Sequence, residues 1–290
     1  MITTALDKHL INNGKLKELL SSYQGGPAIF NQMVPLDTDT GWNSGNHFAH
    51  AVYNIDTTAE AERKIAGTLG IDVACTLKSA DPEEITAALK DCINGYFFKS
   101  DEGDTISAMW ERADAFTTEP DNKVFGNSLS FSLLAFPNQI TADPDPVKLM
   151  NGWIKEIYPQ VTVIGADETP DVWKPTDSNP AVYWKLRTVG QSSSMVSNYH
   201  CTWIGCALQL HIISPSASVR NTMLKDIVNR LTAAQRVLFP QDRSPFHIER
   251  LAVTTGADPV RTGQLTLTGS YGILRTYEKA EPLNNPTIDS

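Results

Sequence analysis

The sequence predicts an α+β protein made of two tandem copies of one small domain. Each copy is a mostly antiparallel β-sheet with helices packed on one face. Three observations carry this. Residues 89–94 read LKDCIN and residues 224–229 read LKDIVN, an offset of 135 positions. The same offset sets Gly70 on Gly205, Val73, Cys75 and Leu77 on Leu208, Leu210 and Ile212, and Ser79 on Ser214. The order helix, strand, long loop, strand, strand, helix, strand, strand occurs twice, with a Pro- and Asp-rich loop at the same place in each pass. The 290 residues then divide into a first copy over 1–140 and a second over 141–290 that ends in a C-terminal arm.

In the first copy, Leu6, Leu10, Leu16, Leu19 and Leu20 recur at helical spacing, although Asn12, Asn13 and Gly14 weaken the middle. AIFNQMV (28–34) reads as a strand, and PLDTDTGWNSGN after it is a loop rich in turn formers. HFAHAVYNID (47–56) is the next strand, and IDVACTLKS (71–79) alternates its apolar residues as a half-buried strand does. Ser79 or Asp81 can cap the helix PEEITAALKDCINGYFF, with Pro82 in its first turn and Glu83 and Glu84 at its positive end. TISAMWERAD (105–114) and SLSFSLLAF (128–136) are the closing strands. Residues 137–147, PNQITADPDPV, form the best linker in the chain.

The second copy starts with the helix VKLMNGWIKEIY (147–158) and the strand VTVIG (161–165). After the loop ADETPDVWKPTDSNP come the strands AVYWKLRTV (181–189) and TWIGCALQLHIIS (202–214), then a helix over 217–239. FHIERLAVTT (246–255) and GQLTLTGSYGILR (263–275) complete it. The letters AVY at 51–53 recur at 181–183, an offset of 130 that a loop-length difference would explain. Helices are few and strands are mostly neighbours in sequence, which favours antiparallel pairing.

The net charge is −9, and no Lys/Arg run occurs, which disfavours tight nucleic-acid binding. An acidic wall is compatible with a passage through which DNA slides without sticking. The N-terminus shows neither a charged n-region nor an apolar h-region, so synthesis in the cytosol without a signal peptide or membrane span is expected. The four cysteines, Cys75, Cys92, Cys201 and Cys206, are expected as reduced, mostly buried thiols.

A search for chemistry finds no catalytic, metal or cofactor-binding residue to name. His200, Cys201, Cys206 and His211 have the wrong spacing for zinc, and on a strand Cys206 and His211 face opposite sides. GQSSSM (190–195) is not a nucleophile elbow, and TGWNSGNH (40–47) is not a phosphate loop. The Asp-rich loops lack the regular calcium pattern. Aromatic residues stand out instead. Trp42 and Trp173 each lie in the long loop of their copy, where a Trp either packs back on its own domain or anchors a subunit contact. With Tyr277 at the root of the polar arm 278–290, they are the interface candidates.

Laid out this way, each copy resembles the tail terminator, or tail completion, proteins of tailed bacteriophages. The likeness runs over residues 1–276 and rests on pattern. A helix and a strand lead to a Pro-rich loop, as in AIFNQMVPLDTDT and VTVIGADETPDVWKPTDSNP. A strand matched by HFAHAVYNID and PAVYWKL follows, then a long strand, a helix and two strands, as in GCALQLHIIS, NTMLKDIVNRL, HIERLAVTT and QLTLTGSYGI. The resemblance implies a non-enzymatic virion protein at the head–tail neck that forms a ring and contacts tail tube or sheath proteins and head-closure or connector proteins. The family's rings are typically hexameric. A doubled chain allows six chains with an added domain each, or three chains that supply six domains. Another neck, collar or head-closure component is the alternative, followed by a soluble enzyme or ligand-binding protein whose site is scattered in sequence.

Overall fold

The computed structural model describes residues 2–42, 47–57, 65–118, 123–139 and 143–275. In the first half the leading amphipathic stretch is two helices, α1 (Thr3–Ile11) and α2 (Gly14–Leu19). The break falls at the Asn pair, because the Asn13 side chain accepts the Leu16 N–H and starts a new helix. The hairpin β1 (Ser22–Tyr23) and β2 (Gly26–Pro27) follows, then β3 (Ile29–Asn31), β4 (His50–Thr57) and β5 (Ile65–Cys75). Next come α3 (Pro82–Ile93), β6 (Phe97–Lys99), β7 (Thr105–Thr117) and β8 (Phe125–Phe136). The second half contains α4 (Pro146–Ile157), β9 (Thr162–Val163), β10 (Val172–Trp173), β11 (Ala181–Gln191) and β12 (Cys201–Ile213). It closes with α5 (Ala217–Ala234), β13 (Arg236–Leu238), β14 (Pro245–Val253) and β15 (Leu265–Leu274).

The protein is α+β, and its two sheets repeat one topology. The first runs β10-β6-β7-β8-β5-β4-β3 and the second β13-β14-β15-β12-β11-β9. Without β10, every strand of the first sheet has a counterpart at the same place in the second. In both, the pair at one edge is parallel (β3 on β4, β9 on β11) and the remaining pairs are antiparallel. A β-bulge sits at the same point of each copy, between Trp110 and Arg112 on β7 and between Ile248 and Arg250 on β14. A bulge bends its strand and raises local twist, so both sheets curve at the matching place.

The helices cover one face of each sheet. Under α1–α3 lie Tyr53, Leu69, Ile71, Val73, Leu129 and Phe131, packed against Leu6, Leu10, Leu16, Ile85 and Leu89. Under α4 and α5 lie Val182, Trp184, Leu208, Leu210, Ile212 and Leu267, packed against Met150, Ile154, Leu224, Ile227 and Leu231. Caps explain the helix starts: Asp81 accepts the Glu83 N–H, Asp145 the N–H groups of Val147 and Lys148, and Ser216 that of Val219. Ser79 is not the cap; its hydroxyl closes the Thr76 turn.

Several expectations are corrected. The helices do not run to residues 98 and 239. Gly95 (φ +75°) and Gln235 (φ +58°) take the left-handed conformation, and the chain turns into the short edge strands β6 and β13. The match of Leu77 with Ile212 fails, since Leu77 lies beyond β5 and is 90% exposed while Ile212 is fully buried. The AVY letters are out of structural register: Tyr53 faces the helices and Tyr183 the opposite side. A slip by an odd number of residues places matching letters on opposite faces of a strand. The start of the expected linker, residues 137–139, is tied to both halves. Pro137 O accepts the Tyr183 hydroxyl at 3.0 Å, and Asp104 accepts the Asn138 N–H at 3.1 Å. Gln139 lies along β11, donating to Trp184 O at 2.6 Å and accepting the Leu186 N–H at 2.7 Å.

Candidate assembly interface

The site with the most structure behind it lies between the two halves, on the helix-free side. It begins at a sheet edge. β10, from the long loop of the second half, pairs antiparallel with β6 of the first, Val172 opposite Phe98 and Trp173 opposite Phe97. Lys99 N–H donates to Asp171 O at 2.8 Å, which extends the ladder. The Trp173 ring stacks on Phe97 with centroids 4.7 Å apart and planes 22° apart. The Lys174 ammonium lies 4.9 Å from the Tyr96 ring centroid, a cation–π contact next to the strand.

Behind this edge the helix-free faces meet in a shared apolar cluster. The first half gives Phe97, Leu134 and Phe136; the second gives Ile164, Ala181, Tyr183, Ile213 and Val260. Tyr183 packs edge-on against Phe136 at 5.2 Å. Burial raises the pKa of its phenol well above the ordinary value, so it stays protonated and donates to Pro137. At the rim Arg261 forms an ion pair with Glu111, the extra residue of the β7 bulge. The Ser132 hydroxyl, 2.5 Å away, and then Arg261 hold the Glu111 carboxyl below its ordinary range.

Beyond the cluster, the helix-free face of the first sheet is small and polar. Thr68, Gly70 and Asp72 of β5 pair across to Ser132, Ser130 and Ser128 of β8. Ser128 donates to Asp72 at 2.5 Å. Asp56 on β4 and Asp114 on β7 share this face by register, and Arg112 pairs with Asp114 at 3.0 Å. In the second sheet Thr266 and Thr268 of β15 hold the matching positions.

Trp42 is 3% exposed and packs on its own half, 4.7 Å from Phe30, 5.5 Å from Tyr23 and 4.9 Å from His47. Trp173 takes neither course expected of it. It leaves its own half and docks on the other half of the same chain, because β6 has an open edge within reach of the loop. Tyr277 and the arm 278–290 lie outside the described residues. Asp226 in the repeated helix letters accepts the Tyr158 hydroxyl and pairs with Arg230 at 2.8 Å. Lys90 is likewise committed, 4.7 Å from the Trp110 ring centroid.

Burial pushes the Cys92 thiol up to about 11 and the Cys206 thiol up to about 12, so neither is a thiolate nucleophile at neutral pH. Ser194 donates to Glu249 in an exposed hairpin. Among the described residues no group of three or more His, Cys, Asp or Glu side chains could hold a metal ion, and no helix is long and apolar enough to cross a membrane. A cavity of about 550 Å³ opens between α4, residues 137–139 and β11. Its two carboxylates are already committed: Asp145 caps α4, and Asp167 binds Lys155 and the Val163 N–H.

Sequence reasoning missed the bulge pair. Its signal was the dipeptide Glu-Arg at 111–112 and again at 249–250, in WER and IER. The edge strands were missed too, although Gly95 followed by three aromatics announced one of them.

The chain matches no protein-family model, and no curated protein matches it in sequence.

Proposed function

We propose that this chain is a non-enzymatic structural protein of a tailed bacteriophage virion, a ring-forming tail terminator or tail completion protein at the neck. The observation that carries the reading is the one-way contact inside the chain. The second half gives Val172 and Trp173 to the edge of the first, while Trp42 of the first half stays on its own side. Contacts of this heterologous kind produce rings when the rotation closes. The small, acidic, helix-free sheet face suits a lumen that passes DNA without holding it, because carboxylates repel phosphate. Partners in this reading are further copies of the chain, tail tube or sheath proteins, and head-closure or connector proteins. Electron microscopy and light scattering of the purified full chain test it, alone and mixed with tail-tube particles. Closed rings that cap tube ends are the expected outcome. A chain that stays monomeric at high concentration and ignores tubes overturns the reading.

A further inference from the structure

The repeat exposes an asymmetry. Edge strand β6 is paired on both sides, with β7 and with β10. Its counterpart β13 ends the second sheet and, among the described residues, pairs only with β14. The correspondence holds at residue level. Leu238 lies opposite Pro245 as Phe97 lies opposite Ser107. The next residues, Phe239 and Phe98, are both buried under the helices. Phe97 and Leu238 therefore both project on the helix-free side. Trp173 covers Phe97, whereas Leu238 is half-buried at an open edge. By alternation of the ladder, Arg236 and Leu238 turn their N–H and C=O groups outward. Pro240 stands where Lys99 donates to Asp171, so an added strand would stop at Leu238.

The donor of β10 is the loop after β9. Its counterpart is the loop after β3, whose far end is held by the buried Trp42. Between these anchors Met33 and Leu36 are 71% and 68% exposed. Large apolar side chains this open, on a loop whose twin is engaged, call for a partner.

We propose that the β13 edge accepts residues 33–39 of a second copy of this chain as an added strand. The contact repeats between chains what β10 does on β6 within one. It rests on the ring reading above and names that ring's subunit contact. Each chain receives on its second half and donates from its first, so the contact continues in the sense of the internal one and stays heterologous.

The test places p-benzoylphenylalanine at Leu238 in the full chain, mixed with a nitrogen-15-labelled wild-type copy and irradiated. Mass spectrometry should find cross-links from position 238 to a peptide holding residues 33–39 of the other isotope. In parallel, Leu238→Asp should raise the concentration needed for assembly about tenfold or more, as expected for losing a central apolar contact. Its melting temperature should stay near wild type. Rings whose cross-links map elsewhere, or rings indifferent to Leu238→Asp, overturn the strand contact and leave the ring reading standing. A monomeric wild type without interchain cross-links overturns both.

Discussion

Trp173 lies flat on Phe97, and this one stack joins an edge of the first sheet to a loop of the second. The two halves are therefore clamped, not strung on a linker, and the clamp yields separate tests.

Trp173→Ala should uncouple the halves. The expected cost is about 2–3 kcal/mol, below the usual figure for a fully buried Trp because this one is only half-buried. Calorimetry should then resolve two transitions where the wild type shows one. A single unshifted transition would show that the apolar cluster alone holds the halves together.

Gln139→Ala removes both amide bonds to β11 and leaves Trp184 O and Leu186 N–H without those partners. The expected loss is about 1–3 kcal/mol in denaturant midpoints. Gln139→Glu should be destabilising too, since a carboxylate cannot donate to Trp184 O.

Glu111 makes the contact between halves acid-sensitive. Ser132 and Arg261 lower its pKa from the ordinary 4.5, so its contribution is present above that value and fades as pH falls through the depressed native value. The stability difference between wild type and Glu111→Gln should shrink through that window. A difference constant from neutral pH into strong acid would rule the linkage out.

The repeated helix letters divide by burial. Leu89→Ala and Leu224→Ala should each cost about 2–5 kcal/mol, with Leu89, fully buried, toward the top of that range. Exposed Lys225→Ala should stay within about 0.5 kcal/mol. Urea melts of the three variants check the order.

Thiol labelling should follow burial. Cys201 is the partly exposed cysteine and should react first in the native chain. Cys75, Cys92 and Cys206 should wait for unfolding, because burial raises their pKa and blocks access. Fast native labelling of Cys92 would mean that α3 opens.

The fold class and the double α+β order were legible because α3, α4 and α5 each carry a side-chain cap and an apolar stripe of their own. Asp81 with Pro82, and Leu89 with Ile93, announce α3 without any distant partner. What could not be read is pairwise. Nothing local to Trp173 says that it will find Phe97, and nothing in AVY says which face Tyr183 will take, since a single-residue slip reverses a strand. Letter matches survive such slips, so they revealed the copies but not the residue register, which is off by two on β5 and β12 and by three on β4 and β11. The short edges β6 and β13 were absorbed into the helix ends, since a three-residue strand shows too little alternation to oppose a helical run.

Sheet completion in the first half also has a timetable. Its strands through Phe136 are synthesised before Val172 and Trp173, and at usual elongation rates the delay is on the order of seconds. Throughout that interval the Phe97–Lys99 edge of the nascent chain offers unpaired main-chain groups to any neighbour on the same messenger. Protein made fast and in crowded polysomes should therefore lose more material to aggregation than protein made slowly, and a chain truncated just before Val172 should be the worst case.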